Sequence, residues 1–219
     1  MMGTIANNIK QISSTLHEGV TLVAVSKFHP AQAVMEAYEA GQRVFGESRA
    51  DELAEKASSL PPDIEWHFIG HLQTNKVRRV LPHASLIHSV DSERLLRTID
   101  REAQKLGIKA RLLLQIHVAQ EETKFGFLPH ELLQCAATVL PELHNVEVCG
   151  VMGMASNTPD MARVASDFEA IHQCSLQLQQ ILPQATTVSM GMSHDYTLAM
   201  LHGSNMVRIG TDIFGLRSY

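Results

Sequence analysis

Short apolar runs and longer amphipathic runs alternate along the whole chain. Runs rich in β-branched residues predict eight strands, at residues 21–26, 43–46, 65–69, 85–89, 111–117, 146–152, 186–189 and 206–209. Apolar positions at helical spacing predict seven helices between them, at residues 31–40, 49–58, 74–81, 93–106, 129–140, 159–181 and 194–201. A further amphipathic stretch, at residues 5–16, precedes the first strand.

The regular alternation of strands and helices predicts the fold class, which is α/β. Strands that alternate with helices form parallel βα units, and eight such units favour a single closed (β/α)₈ TIM barrel with an extra N-terminal helix. The second strand is short and the last helix is barely present, so an open doubly wound sheet stays the alternative. Because the 219 residues contain no Pro-, Gly- or Ser-rich linker, we expect one domain spanning residues 1–219.

Composition and charge narrow the class of partner. The net charge of −5 and pI near 6.2 disfavour nucleic acid or an anionic membrane as the main partner, which leaves a small molecule. Three widely spaced cysteines disfavour a disulfide framework or a structural zinc site and fit a reducing cytoplasm. The first twenty residues lack the pattern of a signal peptide, and no stretch is long enough to span a membrane. We therefore expect a cytoplasmic protein.

Lys27 is the first candidate functional residue. It ends the apolar run at residues 21–27, and in a barrel of parallel strands the carboxyl ends of the strands hold the active site. A lysine there can be desolvated enough to attack a carbonyl carbon. Taken alone, it also fits an ordinary solvated lysine at the end of a strand.

The loops after the seventh and eighth predicted strands offer small and hydroxyl-bearing residues. Ser193 precedes a predicted helix, which it could cap, and Gly210 and Thr211 follow the last strand. Loops at these two places form the usual phosphate site of TIM barrels. A tight turn with a helix cap and no ligand is the alternative.

Three further residues stand out inside or beside apolar strands. Arg208 interrupts the last strand, so its buried guanidinium needs either a carboxylate such as Asp195 or a ligand atom. Met152, at the end of the sixth strand, could pack in the core or lie flat against a planar ring. His67 lies four residues before His71 on a strand and its loop, which is weak spacing for a metal site, so we expect no metal.

Taken in order, segments along most of the chain are similar to the pyridoxal phosphate homeostasis proteins, one-domain relatives of the alanine racemase barrel. The segments that carry the resemblance are residues 24–27, 45–47, 66–70 with 72, 73, 75 and 76, 88–91, 124 with 126, 150–152, 189–193 with 195, and 207–211 with 214, 215 and 217. The resemblance implies an alanine racemase N-terminal-like barrel that binds pyridoxal 5′-phosphate (PLP).

The resemblance also implies roles for individual residues. Lys27 would carry PLP as a Schiff base, and Arg208 would lie beside the pyridine nitrogen. Around the phosphate it implies Ser193, Gly210 and Thr211, and near the ring it implies His67 and Met152. The chain departs from the family at Ser48, where an asparagine that contacts the cofactor is usual, and at Phe28, where a small residue is more common.

An arginine beside the pyridine nitrogen predicts weak catalysis. Arginine stays charged and does not give up its proton, whereas most PLP enzymes use a carboxylate at this position. We therefore expect a non-catalytic PLP carrier, acting in vitamin B6 and amino-acid homeostasis, with no catalytic residues. We also expect a monomer that contacts apo PLP enzymes transiently. The alternatives are a small racemase using Lys27 and Tyr196 and, more remotely, a Schiff-base aldolase.

Overall fold

Eight parallel strands close into a barrel. The structure is a computed structural model, and it describes residues 4–118 and 125–215. The strands are β1 (Thr21–Val25), β2 (Val44–Glu47), β3 (Glu65–Phe68), β4 (Leu86–Val90), β5 (Ala110–Ile116), β6 (Val146–Gly153), β7 (Thr187–Ser189) and β8 (Met206–Ile209). Each strand pairs with the next, and β8 pairs with β1 from Thr21↔Met206 to Ala24↔Ile209. The predicted TIM barrel is confirmed, and the open sheet is wrong.

Helices connect the strands and cover the outside of the barrel. They are α1 (Ile5–Ser13), α2 (Ala31–Glu39), α3 (Ala50–Ser59), α4 (Val77–Val80), α5 (Glu93–Leu106), α6 (Pro129–Thr138), α7 (Met161–Ile181), α8 (Tyr196–Leu201) and α9 (Thr211–Phe214). The predicted helix at 74–81 is a 3-10 turn, Thr74–Lys76, followed by the short α4. The four-residue α9, directly after β8, was not predicted. The single-domain assignment of residues 1–219 stays a prediction.

The barrel interior is apolar at one end and polar at the other. Inward-facing residues from five strands form a small apolar cluster of Val23, Leu86, Leu113, Cys149, Met152 and Met206. Towards the carboxyl ends of the strands the buried side chains become polar, with His67, His88, Ser189 and Arg208 all buried. Because the helices bury a much larger apolar layer outside the strands, the barrel can hold this polar group inside without losing its main core.

Three further features of the described residues bear on function. Cys135, Cys149 and Cys174 are buried free thiols. Within residues 4–118 and 125–215, no helix is both long and apolar enough to cross a membrane. The same residues contain no group of three or more His, Cys, Asp or Glu side chains arranged to hold a metal ion.

Candidate functional site

A cavity of about 250 Å³ opens at the carboxyl ends of the strands. Its wall consists of Val25, Lys27, His29, Ser48, Ile69, Met154, Met192, Ser193, His194, Arg208, Gly210, Thr211 and Gly215. The wall contains Lys27, Ser48 and Arg208 together with the three residues of the two predicted phosphate loops. Positions that are as far apart in sequence as 27 and 211 therefore share one site, because parallel strands bring their carboxyl ends to the same face of the barrel.

Lys27 lies in a tight turn directly after β1. The N–H of His29 donates to the carbonyl of Ser26 at 3.1 Å, so Lys27 and Phe28 are the two central residues of the turn. Phe28 has a φ of 67°, a left-handed conformation that costs a residue with a side chain roughly 1–2 kcal/mol. Glycine or asparagine is usual at such a position. The backbone beside Lys27 is therefore strained and has to be held by its surroundings.

The loop after β7 brings Ser193 to the cavity. Asp195 shapes this loop, because its Oδ1 accepts a hydrogen bond of 2.6 Å from the N–H of Met192. Helix α8 begins at Tyr196 with Asp195 at its N-cap position, so the predicted capping role of Ser193 is wrong. The Ser193 side chain remains in the cavity wall as a hydroxyl that can contact a ligand.

The loop after β8 brings bare backbone to the cavity. A Cβ atom at Gly210 would lie 3.1 Å from the carbonyl oxygen of Val25 and 3.2 Å from its Cβ, so a side chain there would be tightly packed against the end of β1. Thr211 follows at the start of α9. With Ser193, these residues give the site two hydroxyl groups and a side-chain-free approach, which suits an anionic group such as a phosphate.

Arg208 carries a buried positive charge in the cavity wall. Its Nη1 donates to the carbonyl oxygen of Ser189 at 2.8 Å and to the hydroxyl oxygen of Ser189 at 2.6 Å, and its Nη2 donates to the carbonyl oxygen of Gly153 at 3.1 Å. Burial lowers the pKa of Arg208 to about 10, which leaves it charged at neutral pH. In the described part of the chain Arg208 forms no ion pair, so direct pairing with Asp195, the alternative left open by the sequence, does not occur.

Two histidines extend the hydrogen bonds of Arg208 across the barrel interior. The Ser189 hydroxyl lies 3.1 Å from Nδ1 of His88, and Nε2 of His88 lies 3.0 Å from Nδ1 of His67. Burial lowers the pKa of His67 to about 4 and lowers that of His88 well below its usual value, so both rings are neutral at pH 7. A guanidinium only donates, which leaves the serine proton for His88 and the Nε2 proton of His88 for His67.

His67 and Met152, the two residues expected near a bound ring, are not in the cavity wall. Met152 belongs to the apolar cluster deeper in the barrel, and His67 is engaged with His88. Met154 lines the cavity instead. Sequence reasoning ended the sixth strand at Met152, whereas β6 continues to Gly153. Side chains alternate along a strand, so the next inward position after Met152 is Met154, and a longer predicted strand would have identified it.

The remaining candidates lie elsewhere. The Tyr196 hydroxyl is 2.9 Å from Oγ1 of Thr15, and Tyr196 is not part of the cavity wall. Lys124 and Arg217, which belong to the segments that carry the family resemblance, lie outside the described residues.

Comparison with known proteins places the chain in a family. The alanine racemase N-terminal domain family matches residues 2–218. The pyridoxal phosphate homeostasis protein of Schizosaccharomyces pombe is 35% identical over 99% of this chain and 94% of its own length. The structure of PipY from Synechococcus elongatus PCC7942 without PLP is 39% identical, with a TM-score of 0.92 over 97% of this chain and all of that one. PipY with PLP bound has a TM-score of 0.88 over the same shares.

Matches of this length and identity agree with the closed eight-stranded barrel. The chain therefore belongs to the alanine racemase N-terminal domain family and, within it, to the pyridoxal phosphate homeostasis proteins.

Proposed function

We propose that this protein binds PLP in the cavity at the carboxyl ends of the strands and acts in intracellular PLP and amino-acid homeostasis. The observation that carries the proposal is the grouping of a lysine amine, a buried guanidinium and two hydroxyl-bearing loops around a single cavity of about 250 Å³. That volume lies just below the usual range of pockets for drug-sized ligands and suits a ligand with one ring. The PLP bound to the related PipY supports the same choice of ligand.

Each group in the cavity wall has a distinct task under this proposal. The Lys27 amine would hold the cofactor as a Schiff base, formed by condensation with its aldehyde and loss of water. The hydroxyl groups of Ser193 and Thr211 and the backbone of Gly210 would bind the phosphate. Arg208 would donate a hydrogen bond to the pyridine nitrogen and keep its own proton, since a pKa of about 10 is well above neutral pH. PLP itself supplies an aldehyde and an electron sink that is strong only when its ring nitrogen is protonated.

We further propose that the protein does not turn over a substrate. Arg208 leaves the ring nitrogen unprotonated, which weakens carbanion chemistry. A racemase also needs a second acid/base group across the cofactor from Lys27, and the tyrosine considered for this role, Tyr196, contacts Thr15 outside the cavity wall. A carrier that passes PLP to apo enzymes, as a cytoplasmic monomer, fits the anionic chain and its unpaired, buried cysteines.

The absorption spectrum of the protein tests the attachment. Wild type loaded with PLP should be yellow after dialysis, and borohydride should fix the cofactor to the chain at Lys27. Lys27→Ala should lose the colour on dialysis and show no fixed cofactor. Lys10→Ala, a change at a solvent-exposed lysine, should alter neither result. Retention of the borohydride-fixed cofactor in Lys27→Ala would contradict the proposed attachment.

A racemase assay on the coloured protein tests the absence of turnover. We expect no interconversion of the enantiomers of common amino acids by circular dichroism. Steady conversion that disappears in Tyr196→Phe, with the colour retained, would favour the racemase in place of the carrier.

A further inference from the structure

Lys56 is a buried lysine outside the cavity. It lies on α3 with only 5% of its surface exposed. Its ammonium donates hydrogen bonds to the carbonyl oxygen of Ser26 at 2.8 Å, to Oε1 of Glu47 at 2.7 Å and to Oε1 of Glu52 at 2.7 Å. An ammonium group has three protons to donate, so these three acceptors satisfy it completely. Lys56, Glu47 and Glu52 are called the Lys56 cluster below.

The Lys56 cluster holds the backbone on both sides of Lys27. Before Lys27, the Ser26 carbonyl accepts from Lys56, and the Ser26 hydroxyl donates to Oε1 of Glu47 at 2.6 Å. After Lys27, the N–H of Phe28 donates to Oε1 of Glu52 at 2.8 Å. Two side-chain oxygens that share a single ammonium thus fix the residues immediately before and after the lysine of the cavity.

Phe28 is the residue that most needs such a restraint. Its left-handed backbone is unfavourable for a phenylalanine and persists only where neighbouring groups impose it. The residue is 44% exposed, so burial of the ring compensates only in part. The bond from its N–H to Glu52 is charge-assisted and acts on the strained residue itself.

The cluster is poorly designed as a device for stability alone. A buried ion pair loses hydration that the attraction between the charges often fails to recover. Within the described residues, Oε2 of Glu47 is buried without a hydrogen-bond partner, and burial raises the pKa of Glu47 against the opposing effect of Lys56. A role in holding the turn at residues 26–29 in one conformation accounts for the Lys56 cluster better than a role in stability does.

We propose that Lys56 is a positioning residue, which acts through Glu47 and Glu52 to hold the turn at residues 26–29 so that the Lys27 amine is presented to the cavity. This inference rests on the proposed role of Lys27 as the attachment point of PLP. It adds that the attachment depends on a charged cluster that does not line the cavity.

The Lys56→Met variant tests the inference, since methionine keeps an unbranched apolar stem and removes the ammonium. In the protein without PLP, exchange of the Phe28 amide proton, measured by NMR, should accelerate about tenfold or more, as expected when a hydrogen bond to a charged group loses its support. Exchange in β5 and β6 should stay unchanged. A purely structural role would accelerate exchange across the barrel. The matched control is Lys76→Met, because the Lys76 side chain is exposed and pairs loosely with Asp51 at 3.6 Å.

A second readout follows the attachment itself. The rate at which PLP forms the borohydride-fixed adduct should fall about tenfold in Lys56→Met, and its pH profile should shift because the cluster's charge near Lys27 has changed. Glu52→Ala, which removes the acceptor of the Phe28 N–H from a partly exposed side chain, should have the same local effect on amide exchange. Glu52→Gln keeps an oxygen at this position and should recover much of the wild-type behaviour.

Wild-type amide exchange at Phe28 together with a wild-type rate of adduct formation in Lys56→Met would overturn the inference. If Lys56→Met does not fold, Glu52→Ala decides in its place, and wild-type exchange at Phe28 in that variant would overturn the inference equally. Failure of the proposed function looks different, because wild type itself would then form no borohydride-fixed adduct at Lys27, whatever the exchange rates of the variants.

Discussion

Arg208 faces the cavity as a charge without a carboxylate partner in the described part of the chain. Its hydrogen bonds go to the neutral oxygens of Ser189 and Gly153, so no ion pair among the described residues cancels its positive charge. A group of this kind acts as a fixed hydrogen-bond donor and not as a proton reservoir. At the scale of single residues, the cavity is therefore better suited to holding a ring than to driving chemistry on it.

Ser48 offers a test at the same scale, because it lines the cavity at the position where the family resemblance led us to expect an asparagine. Ser48→Asn should strengthen PLP binding about three- to tenfold, the gain expected from one added hydrogen bond. Titration of the apo protein with PLP, followed by absorbance, measures the change. Ser58→Asn, an exposed change on α3, is the control. Unchanged or weaker binding in Ser48→Asn would show that the longer side chain finds no partner.

Four strands are joined across the barrel interior by hydrogen bonds of side chains. This series of hydrogen bonds leads from Arg208 on β8 through Ser189 on β7 and His88 on β4 to His67 on β3. Both histidines are buried and neutral, and each accepts one hydrogen bond of this series at its Nδ1. Protonation of either ring removes that acceptor and breaks the series. The hydrogen bonds that join these four strands therefore depend on pH.

Stability should fall as the pH is lowered from about 6.5 towards 4. His67 has a pKa of about 4 in the folded protein and a higher one when unfolded, so the unfolded chain binds the proton first. The contribution of His67 to the free energy of unfolding is complete above the pKa of the unfolded state. It is lost as the pH falls, by at most about 1.4 kcal/mol per pH unit. Urea unfolding at several pH values measures this slope.

The variant His67→Gln isolates the histidine from other titrating groups. Glu47 acts in the opposite direction, because its raised pKa contributes stability that is lost as the pH rises through its folded pKa. The slope should become shallower in His67→Gln and stay unchanged in His17→Gln, where the histidine is exposed. An equal slope in wild type and His67→Gln would contradict the assignment.

Periodicity alone predicts the eight strands and most of the helices, but it gives little information on the contacts between them. The prediction for α5 matched in full, because Ser92 caps its start and Gly107, with a φ of 66°, ends it. The Lys56 cluster was missed for a physical reason. Glu52 and Lys56, four residues apart on an amphipathic helix, have the spacing of an ordinary surface ion pair. Only the closure of the barrel brings Ser26 and Glu47 against them.

At the scale of the whole molecule, α1 crosses the place where the barrel closes. The side-chain amide of Asn8 donates to the carbonyl oxygen of Ile213 in α9 at 2.9 Å, and Ile9 and Ile12 are buried beneath the helix. The helix that precedes β1 is thereby tied to the one that follows β8 and the Gly210 loop. This long-range contact, like the pairing of β1 with β8, has no local signal in the sequence.

The three cysteines provide a measure of how often the molecule opens. Burial raises the pKa of Cys135 and Cys174 to about 11 and also raises that of Cys149, and only the thiolate reacts with electrophiles. We expect an aromatic disulfide reagent to modify them only at the rate at which α6, β6 and α7 open. Modification at the rate of a free thiol in the folded protein would contradict this expectation.

Since a ligand that binds only the folded state lowers the population of opened molecules, saturating PLP should slow the modification by the factor 1 + [PLP]/Kd. The rate at which these three thiols are modified thus reports the occupancy of the cavity, and it can be measured without the colour of the cofactor.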